Sequence, residues 1–125
     1  MFTHAFLGSN DVERSRKFYD PVMEVLGYKN VAPPEAGRLI YAGPTGTFIV
    51  APPANGEPAS VSNGHTLGFA AANDEAVAKF HEVGLANGGT CEGPPGPRAA
   101  APNNSCGAYL RDPDGHKICA FHMRH

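Results

Sequence analysis

Long apolar runs are missing from this 125-residue sequence. No stretch approaches the length of a membrane span, so a membrane partner is not expected. Basic residues are too few for a polyanion-binding stripe. Ten Lys and Arg against twelve Asp and Glu leave a formal net charge of −2, and nucleic acid is not an expected partner. The N-terminus lacks a charged segment followed by an apolar one, so no secretory signal is expected. Cysteines are few: Cys91, Cys106 and Cys119 are odd in number and form no CxxC pair. That pattern favours free thiols in a reducing compartment over a disulfide framework, and the expected location is cytoplasmic.

Glycine and proline are abundant, with 15 and 12 copies. They suit many short strands and turns better than a helical bundle. The length suits one domain over residues 1–125 with a real core. Within it the sequence repeats. Thr3-His4-Ala5-Phe6-Leu7, Asn10-Asp11, Lys17-Phe18 and Gly27 are echoed by Gly64-His65-Thr66-Leu67, Asn73-Asp74, Lys79-Phe80 and Gly89. His4 and His65 lie 61 residues apart, and the Phe and Gly pairs 62. Such an offset through a strand and a helix predicts two like modules, 1–56 and 63–125. It sets His4 and His65 at equivalent points, where a pseudo-twofold axis could bring them together.

Each module reads β-α-β-β-β. In the first, Phe2–Gly8 is a strand, and Asn10 with Glu13 reads as a capping box. The helix should bury Val12, Phe18 and Val22, be kinked or divided by Pro21, and end at Gly27. Strands follow at Tyr28–Val31, Arg38–Ala42 and Thr47–Ala51, the last two joined by a Gly43-Pro44-Thr45-Gly46 turn. Residues 51–64 read as a linker. In the second module His65–Ala71 is a strand. A helix capped by Asn73 buries Val77, Phe80 and Val83 and closes at Asn87-Gly88-Gly89. Thr90–Glu92 is a short strand and 93–105 a proline-rich surface loop. Gly107–Arg111 and Lys117–Met123 flank an Asp112-Pro113-Asp114-Gly115 turn.

These motifs carry a resemblance. Thr3-His4, Asn10-Asp11, Arg14-Ser15 and Phe18-Tyr19 contribute to it. So do Gly64 to Phe69 and, most specifically, Tyr109-Leu110-Arg111-Asp112-Pro113-Asp114-Gly115-His116-Lys117. The chain resembles the vicinal oxygen chelate superfamily of glyoxalases, bleomycin and fosfomycin resistance proteins and extradiol dioxygenases. The resemblance implies an α+β fold in which two βαβββ modules form a curved mixed sheet around a cleft. It implies a small-molecule ligand or substrate and a homodimer; the modules that complete the cleft could pair across two chains, as in many relatives, or within one.

It also implies a site for a divalent metal, with ligands from the first and last strands of each module. His4 and His65 take the two first-strand positions. Aligning the two turns matches Cys119 with Val50, both four residues past a turn glycine, where relatives carry a carboxylate. The implied metal ligands are therefore His4, His65 and Cys119, since Val50 has no donor. Two imidazoles and a thiolate suit Zn²⁺ better than Mg²⁺ or Mn²⁺. Strand alternation puts His4, Phe6 and Gly8 on one face; His65, Leu67 and Phe69 on another; and Lys117, Cys119, Phe121 and Met123 on a third. All three faces are expected to line the cleft.

Two functions follow from the resemblance. One is a divalent-metal-dependent lyase, isomerase or dioxygenase acting on a substrate with vicinal oxygens, the metal polarising a carbonyl or holding an oxygen pair. Lactoylglutathione lyase activity is not expected, because the ligand carboxylates are missing. The alternative is a metal-free protein that binds or sequesters a small molecule, as bleomycin-resistance relatives do. A structural or regulatory protein that keeps only the fold is a third reading. The catalytic base is unassigned. Each site residue also has a plainer reading: a lone His more often bonds backbone than a metal, and Cys119, in the absence of a metal, reads as a small buried hydrophobe rather than a thiolate. His116 is expected to be exposed, His81 to lie on the surface and His122 to face away from Cys119. Arg38, Tyr41, Tyr109 and Arg111 are possible ligand contacts.

Overall fold

The computed structural model describes residues 1–125. The order is β1 (His4–Gly8), α1 (Val12–Val25), β2 (Leu39–Ala42), β3 (Thr47–Ala51), β4 (Leu67–Ala70), α2 (Asp74–Ala86), β5 (Thr90–Pro97), β6 (Cys106–Arg111) and β7 (Lys117–His122). The α+β architecture is built from two mixed sheets and no closed barrel. One has three strands in the order β1-β3-β2; the other has four, β4-β7-β6-β5. In each, the first strand runs parallel to the last strand of its half.

The helices follow from caps and apolar spacing. Asp11, not Asn10, caps α1, its carboxylate accepting from the Arg14 amide. Asn73 caps α2 in the same way through the Ala76 amide. Freed of the capping role, the Asn10 side chain holds Ala59 of the connecting segment through both backbone groups. Pro21 sits inside α1 without ending it. The missing amide costs one bond, but Phe18, Tyr19, Val22 and Met23 are all buried around it, so packing holds the helix through the proline. Gly27 follows at φ 96°, a left-handed value that glycine adopts without strain.

Both helices feed one core. It joins Phe18, Tyr19 and Val22 of α1 with Val77 and Phe80 of α2, and with inward residues of both sheets. Truncating a fully buried Phe such as Phe80 to Ala removes roughly 3–5 kcal/mol. The expected strand at Tyr28–Val31 is reduced to a single bridge, Asn30 to Tyr41. The Asn30 side-chain oxygen takes the Ala32 and Ile40 amides, so a turn replaces a ladder. This is why the first sheet has three strands. The expected loop from residue 93 is instead strand as far as Pro97, paired to β6 with two register shifts. Bulges accommodate prolines that a regular inner strand would reject.

Candidate functional site

Register decides which side chains meet. In the first sheet, Ala5 pairs with Phe48 and Leu7 with Val50, all turned to the core; His4, Phe6 and Ile49 point the other way. In the second sheet, Leu67 pairs with Ile118 and Phe69 with Ala120, and these face the core. Gly68 pairs with Cys119, so these two share the opposite, open face. The first-half assignment of His4, Phe6 and Gly8 to one face agrees with the structure. The second-half assignment is reversed: Cys119 does not share a face with Leu67 and Phe69.

The cause is a slip of one residue. The two caps, Asp11 and Asn73, are 62 residues apart, as are the helix starts Val12 and Asp74. With that offset His4 corresponds to Thr66, not to His65, and Phe6 to Gly68. At the other end, Ile49 and Cys119 are equivalent, because they pair with Phe6 and Gly68 respectively. Val50 belongs to the core. In a strand a one-residue slip exchanges the two faces.

The three expected metal ligands lie in different surroundings. His4 is exposed on β1, its Nδ1 bonded to the neighbouring Thr3 hydroxyl at 2.8 Å. His65 is exposed just before β4. Cys119 is buried against Gly68: a Cβ there would stand 3.2 Å from its sulfur. No three His, Cys, Asp or Glu side chains are arranged to hold an ion. The donor set does not fit a metal within one chain. Burial raises the Cys119 thiol to about 11 despite the nearby Lys117 and Arg98 cations, so it is protonated at neutral pH.

The open face of the second sheet has a different chemistry. Tyr109 lies opposite Cys119 across the β6–β7 ladder, and Gly107 opposite Phe121. The Tyr109 and Phe121 rings meet edge to face, with centroids 5.8 Å apart. Two cations stand over Tyr109: Arg98 at 5.4 Å and Lys117 at 5.1 Å from its centroid. Arg98 is held there by the Pro94, Gly96 and Pro97 carbonyls. Gly107 leaves the space that the Phe121 ring fills, since a Cβ would come within 2.5 Å of it. Of the possible ligand contacts, only Tyr109 lies here with both cations. Tyr41 is in the core, its hydroxyl donating to Asp20. Arg111 is spent on Glu92 and the Gly115 carbonyl, and Arg38 is exposed.

Beside this face lies a cavity of about 250 Å³ bounded by Phe6, Leu7, Gly8, Ser60, Ser62, His65, His116 and Lys117. His116 is buried rather than exposed, because its Nε2 donates to the Gly8 carbonyl at 2.7 Å. It belongs to a polar clamp between the halves that sequence reading passed over. The Tyr19 hydroxyl donates to Asp112 at 2.6 Å, and Asp112 also accepts the Asp114 and His116 amides. Asp114 accepts from Arg14 at 2.7 Å and from the Asn10 amide. The signal was present in Asp112-Pro-Asp-Gly and in Arg14, Ser15 and Tyr19, but one string does not reveal which carboxylate meets which donor. His122 does face away from Cys119; it bonds Asp74 of α2. His81 is half-buried against Cys91, 3.1 Å from its sulfur.

Known proteins share this fold. A glyoxalase/bleomycin resistance protein from Albidiferax ferrireducens T118 is 50% identical, with a TM-score of 0.89 and coverage of 99% of each chain. A glyoxalase-related enzyme from Fulvimarina pelagi is 22% identical, with a TM-score of 0.74 over 98% of this chain and 87% of its own. A lactoylglutathione lyase from Agrobacterium tumefaciens is 19% identical, with a TM-score of 0.67 over 98% and 92%; these last two establish the fold alone. No curated protein matches. The sequence profile of the Glyoxalase/Bleomycin resistance protein/Dioxygenase superfamily matches residues 2–120, and the chain belongs to that superfamily.

Proposed function

We propose that this protein binds and sequesters a small molecule without a resident metal, in the manner of bleomycin-resistance proteins. The observation that carries the reading is the composition of the open face of the second sheet. Two aromatic rings, two cations and a protonated thiol gather there, and no three His, Cys, Asp or Glu side chains are arranged to hold an ion. Aromatic rings flanked by fixed polar groups suit recognition of a partly apolar ligand. A metal-dependent lyase, isomerase or dioxygenase needs a ligand set that one chain does not assemble.

The shared core supports one domain made of modules 1–56 and 63–125. A homodimer accords with the exposed Phe2 and Phe6 beside and on the open face of the first sheet. Free cysteines accord with a cytoplasmic setting.

Thermal shift against a ligand panel tests the reading, with metal analysis after dialysis against Zn²⁺, Ni²⁺, Mn²⁺ and Fe²⁺. The expected result is a melting temperature that climbs with ligand concentration, no turnover of that ligand, and no stoichiometric metal. A tightly held ion lost in both His4→Ala and His65→Ala would overturn it.

A further inference from the structure

The cavity next to the open face has no acid in its wall. Its polar groups are Ser60, Ser62, His65, His116 and Lys117, with Gly8 closing one side. Lys117 forms no ion pair, although its charge helps to lower Glu92; the residue lines the cavity and its ammonium stands over Tyr109. The neighbouring carboxylates are engaged elsewhere. Asp112 takes Tyr19 and two amides, Asp114 takes Arg14 and the Asn10 amide, and Glu92 takes Arg111.

The wall is also built rather than incidental. Ser60 and Ser62 come from the segment between the halves, which is pinned at two points. Asn10 grips Ala59 through its amide and carbonyl. Val61 packs on the 112–116 turn, where a Cβ on Gly115 would lie 3.0 Å from its methyl. Ser60 and Ser62, on either side of Val61, both line the cavity. His116 is fixed by the Gly8 carbonyl; since a carbonyl only accepts, Nε2 carries the proton and Nδ1 is left over.

The geometry points to a binding site for an oxyanion, the phosphate or carboxylate group of a small ligand, held by Lys117 with the Ser60 and Ser62 hydroxyls and His65. Hydroxyls and imidazole N–H groups donate to an oxyanion, and an ammonium without an ion pair supplies the charge. This inference rests on the small-molecule reading and sharpens it: the ligand's anionic end enters the cavity while its apolar part lies along Tyr109 and Phe121.

Titration of the full-length protein with inorganic phosphate, and separately with acetate, tests it by ¹H–¹⁵N NMR, with sodium chloride holding ionic strength constant. Saturable shifts are expected at Gly8, Ser60, Ser62, His65 and Lys117, and whichever anion binds tighter identifies the headgroup. Lys117→Met should weaken binding by about tenfold or more, and Lys117→Arg should retain most of it. Absence of saturable shifts with both anions, or a Lys117→Met protein that binds as the parent does, overturns the site. A panel ligand that still shifts Tyr109 and Phe121 in that case leaves the sequestering reading intact. Tight metal on His4 and His65 with phosphate binding unchanged removes that reading and keeps the anion site.

Discussion

The two sheets start from one plan and end with different surfaces. Phe6 and Gly68 both lie five residues before their helix caps, and each pairs with the last strand of its half. In the first sheet the pair is Phe6 with Ile49; in the second it is Gly68 with Cys119. The inward positions stay alike: Leu7 and Val50 on one side, Phe69 and Ala120 on the other, all in the core. Divergence is thus confined to the open faces. One presents an apolar stripe with Phe6 45% exposed. The other presents aromatic rings under two cations. Shared packing tolerates little change, because the core is filled at close density; the outward face is free to take on a function.

The largest effect that sharpens this contrast is a carboxylate placed on either side of β3. Val50→Asp buries an unpaired charge among Leu7, Leu39 and Phe48. It should cost on the order of 4–5 kcal/mol or more, enough to unfold a small domain. Ile49→Asp puts the same group on the half-buried open face and should cost roughly 1 kcal/mol, mainly through strand preference. Urea unfolding followed by circular dichroism separates them. Equal stability of the two variants would break the assignment of faces.

The clamp joining the halves comes next. Burial is the largest influence on the Asp112 carboxyl and raises its pKa; the bonds from Tyr19 and the His116 amide oppose it. Burial also raises the Tyr19 hydroxyl well above its usual value, so it remains a donor. Tyr19→Phe removes that donor and should cost roughly 1–3 kcal/mol. The pH sign is set by direction. The folded state holds the Asp112 proton more tightly than the unfolded chain, so ionisation favours unfolding. Its stabilising share is complete below the ordinary aspartate value of 3.8 and falls as pH rises through the raised folded value. Asp74 and Glu92 run the other way: each is lowered, first by a side-chain hydrogen bond, from His122 and from Arg111 respectively. Their share is lost as pH falls. Asp112→Asn removes only the first trend, so variant-minus-parent stability should climb as pH rises from below 3.8 through the raised folded value. A flat difference in urea midpoint across that range would show that Asp112 has no raised folded value.

Much of this was legible in the sequence, and the exceptions share causes. Both helices, the α+β class, β3 and the Asp-Pro-Asp-Gly turn follow from apolar spacing and turn residues. Faces were harder. Histidines catch the eye, and matching His4 to His65 gave an offset of 61 where the caps give 62. A helix hides such an error by moving a side chain around an arc; a strand reverses it. Leu7, Leu67 and Phe69 held the right answer, since these apolar residues mark the inward face better than the histidines mark the outward one. Asn10 and Asp11 are both good caps, and sequence alone does not choose between them. His116 looked exposed because it follows a turn glycine, but its carbonyl partner, Gly8, lies 108 residues away. Long-range polar pairing of that kind leaves no periodic trace.

The smallest expected effect tests the pairing at the centre of the contrast. Gly68 stands where the first sheet has Phe6, and its lack of a side chain makes room for the Cys119 sulfur. A Cβ at Gly68 would sit 3.2 Å from that sulfur, tighter than ordinary contact. Gly68→Ala gains backbone order in the folded strand and loses space, so the balance should be a destabilisation of roughly 0.5–1 kcal/mol. Cys119→Ala removes the sulfur and opens a small void, costing roughly 1 kcal/mol by itself. Combined, the two changes relieve each other, because the new methyl enters the space the sulfur vacates. The double variant should then be more stable than the sum of the single changes implies, by about 0.5 kcal/mol or more. Simple additivity in the urea midpoints would mean that the sulfur and the Gly68 position do not touch. The one-residue shift that makes Cys119 the counterpart of Ile49 would then lose its most direct support.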